Sequence, residues 1–243
     1  LLKNMPSNKE LFLRHVGQTS PAPLGIEIDR AQGIYMYDKE GKAYIDLVSG
    51  VSVSNLGHQH PSIVKAIKNQ VDKYMHLMVY GEIVQSPQVQ FAQLLSEQLP
   101  ESLNSIYFVN SGSEAIEGAM KLAKRLTGRS QIISCKNAYH GSTHGAMSIM
   151  GSETYKTAFR PLLPDTALIE FNKIADLKLI TPNTACVIIE PIQGEAGIIS
   201  PVVGYLQALR KRCNETGTLL IFDEIQTGFG RSGHLFAFQK YFP

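Results

Sequence analysis

Cysteine is scarce and scattered, with Cys135, Cys186 and Cys213 making the whole set. An odd, unclustered trio excludes a disulfide scaffold and favours a reducing compartment, with the cytoplasm as the default. Charge is also sparse. Charged residues make up 18% and the net charge is +2, so no field of one sign is available to hold nucleic acid or a membrane surface. No apolar run reaches the length of a membrane-crossing helix, and the first residues lack the basic and apolar regions of a signal peptide. Repeats and low-complexity tracts are absent. Hydrophobic content of 44% over 243 residues is enough for a full core in one large or two small domains.

Against that plain background, Thr218 to Gly233 (TLLIFDEIQTGFGRSG) stands out. Leu219 to Phe222 has the length and composition of a strand buried on both faces. It ends abruptly in Asp223-Glu224. Ligands of open parallel sheets sit just beyond such strand ends, where a partly desolvated carboxylate needs a cation, a metal or a strong donor. Three chemistries fit. A magnesium-holding ATPase also needs the GxxxxGK[ST] loop, and Gly41-Lys42 is followed by Ala43. Gly228, Gly230 and Gly233 spell GxGxxG, but DEIQT separates them from the strand, and an acid about 20 residues on would fall beyond Pro243. The third chemistry is a carboxylate facing the ring nitrogen of pyridoxal 5'-phosphate and keeping it protonated.

The rest of the chain alternates strands with helices, which predicts an α/β class with a mostly parallel sheet. Residues 1–57 read as a helix, a proline-containing loop and a hairpin, Ile34–Tyr37 and Ala43–Ile45 flanking Asp38–Gly41. Helices are expected from Pro61 (Ile63, Ile67, Val71 on one face), over Pro87–Gln98, from the NSGSE turn to about Leu126, and over Gly204–Glu215. Strands are expected at Ser105–Val109, Gln131–Ser134, Thr166–Ile169 and Ala185–Ile189. Ser111 and Glu114 have capping-box spacing. A strand, a small-residue turn and a helix can present free backbone N–H groups to a phosphate, although a capped helix with no ligand is as common. Lys136 ends a strand and is a candidate Schiff-base amine, a surface lysine being the commoner case. His58 with His60, and His140 with His144, lack the companions that a metal site requires. Tyr139 offers a flat face for an aromatic ligand or for the core. Glu190 is a second acid at a strand end, so the ends at Ser111, Glu190 and Asp223 converge on a small-molecule site.

Five blocks in order give the chain a resemblance to a known family: DLVSGVSVSNLGHQHP (46–61), FVNSGSEAIEGAMKLAK (108–124), AYHGST (138–143), EPIQGEAG (190–197) and LLIFDEIQTGFGRSG (219–233). The chain resembles class III pyridoxal-phosphate aminotransferases, the group with ornithine, acetylornithine and 4-aminobutyrate aminotransferases. The resemblance implies a fold-type-I pyridoxal-phosphate transferase, with residues 1–57 as part of the small domain and 58–243 as the large domain, incomplete at its end. It implies ping-pong transfer of an amino group from an ω-amino acid or amine to a 2-oxo acid, in a homodimer.

Carried residue by residue, it implies that Ser111, Gly112 and Ser113 cup the cofactor phosphate and that Tyr139 stacks on the ring, with His140 beside it. Asp223 would pair with the ring nitrogen, Gln226 with the phenolic oxygen, and Glu190 would stand behind Asp223. Glu195 would pair with an arginine of a C-terminal domain. Two departures touch the substrate. Ser142 stands where ornithine-type relatives carry an arginine for the substrate carboxylate, and Val51 where ornithine specialists tend to carry a tyrosine. The family's Schiff-base lysine is expected beyond Pro243, so the chain is expected to be inactive alone. It would be part of a longer enzyme, or else a cofactor-pocket protein without the lysine.

Overall fold

Ser7 starts the first helix, α1 (Asn8–His15), by a reciprocal cap: Glu10 N donates to Ser7 Oγ and Ser7 N to Glu10 Oε2. The computed structural model describes residues 5–78 and 81–242. The chain forms two compact units, with the boundary between Val84 and Gln85. In the first unit, β1 (Ile28–Gln32), β2 (Tyr35–Asp38) and β3 (Ala43–Ile45) form an antiparallel sheet in that order. The β2–β3 hairpin turns at Asp38–Gly41 as expected, with Lys42 N donating to Asp38 Oδ1 at 2.8 Å. A left-handed turn, α2 (Ser49–Ser52), and the helix α3 (Pro61–Val71) complete the unit. None of its described side chains is fully buried.

The second unit holds the core. Its elements are α4 (Ser86–Ser96), α5 (Gly112–Thr127), β4 (Gln131–Cys135), α6 (His144–Ser148), β5 (Thr166–Ile169), β6 (Thr184–Ile189), α7 (Tyr205–Thr216) and β7 (Leu219–Phe222). The four strands are parallel throughout, in the order β5-β4-β6-β7. Period-two alternation splits their side chains between two faces. Ile133, Cys135, Val187 and Ile189 pack with Leu206, Leu209 and Cys213 of α7, while Ile132, Cys186 and Ile188 pack with Ile116, Met120 and Ala123 of α5. Helices on both faces explain why these strands read as continuous apolar runs. Because the strands are parallel, the chain leaves β4, β6 and β7 at the same, carboxyl end of the sheet.

One expected strand is absent. Ser105–Val109 joins no ladder among the described residues, and Tyr107 is 83% exposed. Its composition suits a strand, but a strand also needs a neighbour, and neither sheet edge, β5 or β7, pairs with it.

Burial holds the three thiols in the unreactive form. It pushes Cys135 and Cys186 up to about 12 and Cys213 up to about 11. Iodoacetamide near pH ~8 is therefore expected to spare all three in the native protein and to alkylate all three in denaturant. Native labelling of Cys135 would contradict the packing described. No helix among the described residues is long and apolar enough to cross a membrane.

Candidate active site

The start of α5 supplies open donors. Ser111 is its N-cap, and Ser111 Oγ accepts from Glu114 N at 3.2 Å. Glu114 Oε2 accepts in turn from Asn110 N at 2.6 Å, one residue earlier than the capping-box spacing implies. Gly112 N and Ser113 N donate to nothing among the described residues. Two free amides at the positive end of a sixteen-residue helix are suited to an anion.

The chain after β4 supplies an aromatic wall and a buried imidazole. Lys136 turns outward, its Nζ donating to Glu170 Oε1 at 2.8 Å. Tyr139 is partly exposed and meets Tyr155 edge to face at 6.2 Å. His140 is buried, and its Nδ1 lies 2.8 Å from Asp223 Oδ2, with the side chains 0% and 6% exposed. Its Nε2 has no hydrogen-bond partner among the described residues.

The chain after β7 supplies the acid. Asp223 N donates to Ile189 O at 2.8 Å, which extends the β6–β7 ladder, and Asp223 Oδ1 accepts from Ile225 N at 3.1 Å. Asp223 is thus a buried carboxylate with two bonded partners. The adjacent Glu224 does different work: it accepts from the backbone N–H groups of Ala237 and Phe238.

Glu190 follows β6. Its Oε1 accepts from Gly194 N at 3.1 Å and its Oε2 from Tyr139 N at 3.3 Å, so it fixes the backbone carrying the aromatic wall. Burial raises its pKa above the ordinary carboxylate value, outweighing its backbone bonds and the neighbouring His140. An acid with a raised folded pKa contributes stability that is fully present below the unfolded pKa and lost as pH rises through the folded one. Glu190→Gln should therefore gain stability relative to the wild type as pH rises from the ordinary carboxylate pKa of about 4 into the neutral range. Urea midpoints that keep a constant gap across that range would exclude the effect.

These segments surround a cavity of about 190 Å³ whose lining includes Ser111, Gly112, Ser113, Tyr139, His140, Glu190, Asp223 and Gln226. Ile192, Ile225 and Thr227 line it too; they fall within the 190–197 and 219–233 blocks, where the resemblance implies no role for them. Ile225 lies directly after the Asp-Glu pair, and an apolar residue there is the signal that could have found it. Gln226 Nε2 donates to Glu195 Oε1 at 2.8 Å. Ser142 N donates to Ser113 Oγ at 3.2 Å, and Ser142 lies on a second cavity of about 480 Å³ with Tyr139, Met147, Met150, Tyr155 and Phe159. Val51 belongs to the first unit, exposed and with φ of 57°.

The cavity fits pyridoxal 5'-phosphate in its donor set. It combines two free helix amides, apolar walls at Tyr139, Ile192 and Ile225, and a buried carboxylate. A Cβ at Gly112 would come within 3.1 Å of the Ile225 side chain, so the cradle closes on that wall with no room to spare.

A parallel α/β sheet with an anion cradle and a buried acid at its strand ends is an enzyme-like architecture. The chain belongs to the class III aminotransferases, whose family model matches residues 16–242. It is 43% identical over 211 residues to an acetylornithine aminotransferase from Methanopyrus kandleri, covering 86% of this chain and 53% of that protein. It is 40% identical over 218 residues to a LysW-aminoadipate semialdehyde/glutamate semialdehyde transaminase from Sulfolobus acidocaldarius, covering 89% of this chain and 56% of that protein. The solved ornithine aminotransferase of Toxoplasma gondii, described with partial occupancy of PLP at its active site, superposes with a TM-score of 0.83 at 31% identity. That match covers 94% of this chain and 55% of that one. The chain spans about half the length of the curated relatives it matches.

Proposed function

We propose that the full-length protein is a pyridoxal-phosphate-dependent aminotransferase that moves an amino group from an ω-amino acid or amine to a 2-oxo acid. The observation that carries this reading is one cavity, in a class III chain, where the α5 amides, the Tyr139 and Ile225 walls and the buried Asp223–His140 pair meet. When bound, pyridoxal phosphate supplies an electron sink for the bond broken at the aminated carbon of the substrate. Gly112 N and Ser113 N would hold its phosphate, with Ser111 fixing the start of the helix. Tyr139 and Ile225 would exclude water from the two ring faces. Asp223, held by His140 Nδ1 and Ile225 N, would keep a proton on the ring nitrogen, and Gln226 would face the phenolic oxygen.

The reading also takes in a homodimer in the cytoplasm, which three free, buried thiols suit. No lysine among the described residues lines the cavity, and Lys136 is engaged with Glu170. The covalent anchor is therefore assigned to the part of the protein beyond this chain, and the chain alone is expected to be inactive.

Ser142 bears on the donor. An arginine there would offer a charged, bidentate fork to a carboxylate, and a hydroxyl does not. The adjoining cavity is walled by Met147, Met150, Tyr155 and Phe159, so it excludes bulk more than it demands charge. A panel of amines and ω-amino acids, read as kcat/KM with a 2-oxo acid acceptor, is expected to show a broad range. Ornithine and N-acetylornithine should stay within about tenfold of the best apolar amine. Clear preference for either would overturn the substrate reading, and transfer from no donor would overturn the function.

A further inference from the structure

Helix α5 makes a second set of contacts, one turn beyond its free amides. Glu117 Oε1 accepts from Thr143 Oγ1 at 2.7 Å, Gly145 N at 2.9 Å and Ala146 N at 3.1 Å. Its other oxygen lies where a Cβ on Gly145 would come within 2.3 Å, so only glycine lets the chain approach this closely. Thr143 is the N-cap of α6, yet its side chain makes no cap bond to that helix. The cap comes instead from Glu117, a residue of another helix. Ser113 lies one turn before Glu117 on the same face, and Ser113 Oγ accepts from Ser142 N. Below them, Ile116 and Met120 pack with Ala146 in one core cluster.

We propose that Glu117 is a positioning residue for the pocket: it clamps the segment after Tyr139 and His140 onto the helix that carries the anion cradle. The inference rests on the functional reading above, in which Gly112 and Ser113 hold the phosphate and Tyr139 covers the ring. One ligand must then satisfy both at once, and Glu117 fixes the spacing between them. A ligand that uses the cradle alone has no need of that spacing. Because Glu117 is only half-buried, water can satisfy the released donors after truncation. The fold therefore survives while the alignment is lost.

The experiment uses the full-length protein and its Glu117→Ala and Glu117→Gln variants. Affinities for pyridoxal 5'-phosphate and for inorganic phosphate are measured at a temperature where all three are folded. Glu117→Ala should weaken pyridoxal 5'-phosphate about tenfold, the scale of a lost hydrogen-bonded alignment, and leave inorganic phosphate within about twofold. Glu117→Gln keeps an acceptor oxygen and should stay within about threefold of the wild type for both. Without ligand, amide exchange at Gly145 and Ala146 should quicken about tenfold in Glu117→Ala, with that of β4 and β6 unchanged. Unchanged cofactor affinity in Glu117→Ala, equal loss for both ligands, or no rescue by Glu117→Gln overturns the proposal alone. A wild-type protein that binds no pyridoxal 5'-phosphate overturns the functional reading and this proposal with it.

Discussion

Asp223→Asn in the full-length protein should leave a folded, cofactor-binding molecule whose kcat falls by roughly 10²–10³, the size of one lost preorganised electrostatic contact. Asparagine keeps an oxygen for Ile225 N, so the turn after β7 retains its bond. What disappears is the negative charge facing His140 and, under the proposed function, the charge that would keep the ring nitrogen of bound pyridoxal phosphate protonated. Asp223→Ala adds a second cost. His140 Nε2 is already without a partner, and losing Asp223 Oδ2 would strip Nδ1 as well. Leaving a buried polar group unsatisfied costs about 1–3 kcal/mol. The alanine variant should therefore lose both activity and stability, and the asparagine variant activity alone. Single-turnover rates and urea titrations of the two variants separate the terms. Near-normal turnover in a folded, cofactor-loaded Asp223→Asn protein would remove Asp223 from the mechanism.

Gly151→Ala should be the most disruptive single methyl in the second unit, at about 3 kcal/mol, the upper range for overpacking. A Cβ at Gly151 would sit 2.1 Å from Asn137 N, 2.5 Å from Ala138 N and 2.6 Å from Cys135 O. All three are backbone atoms, at the end of β4 and in the turn that follows it, so no rotamer change can relieve the overlap. Gly151 N also donates to Ala138 O at 2.9 Å, which ties the two segments together. Relief requires moving the turn that delivers Tyr139 and His140, so cofactor affinity should fall along with stability. Gly17→Ala is the control, since nothing lies within 4 Å of its Cβ position and its change should stay within about 0.5 kcal/mol. Equal effects of the two substitutions on the urea midpoint would discredit the contact.

The parts of this fold that could be read from the sequence are those set by burial along a short stretch. β4, β6 and β7 declare themselves because helices cover both faces and each strand carries a short apolar run. The start of α5 is legible because a cap is a local device, although Glu114 reaches Asn110 N and not Ser111 N. β1 is not legible, because IDRAQ lacks both an apolar run and strict alternation and forms through pairing with β2. Ser105–Val109 fails in the opposite sense, with the composition of a strand and no partner. In the site, the types and order of Gly112, Ser113, Tyr139 and Asp223 are visible as motifs. That His140 faces Asp223, that Glu190 holds Tyr139 N, and that Glu117 caps a foreign helix are products of tertiary approach. No spacing rule encodes them.

The His140–Asp223 bond joins residues 83 positions apart. At ribosomal speeds of roughly 5–20 residues per second, Asp223 is added about 4–17 s after His140. During that interval the imidazole lacks the Asp223 carboxylate, and β6 has no β7 beside it. Among the described strands, β7 closes this pocket, so under the proposed function cofactor capture would wait until it docks.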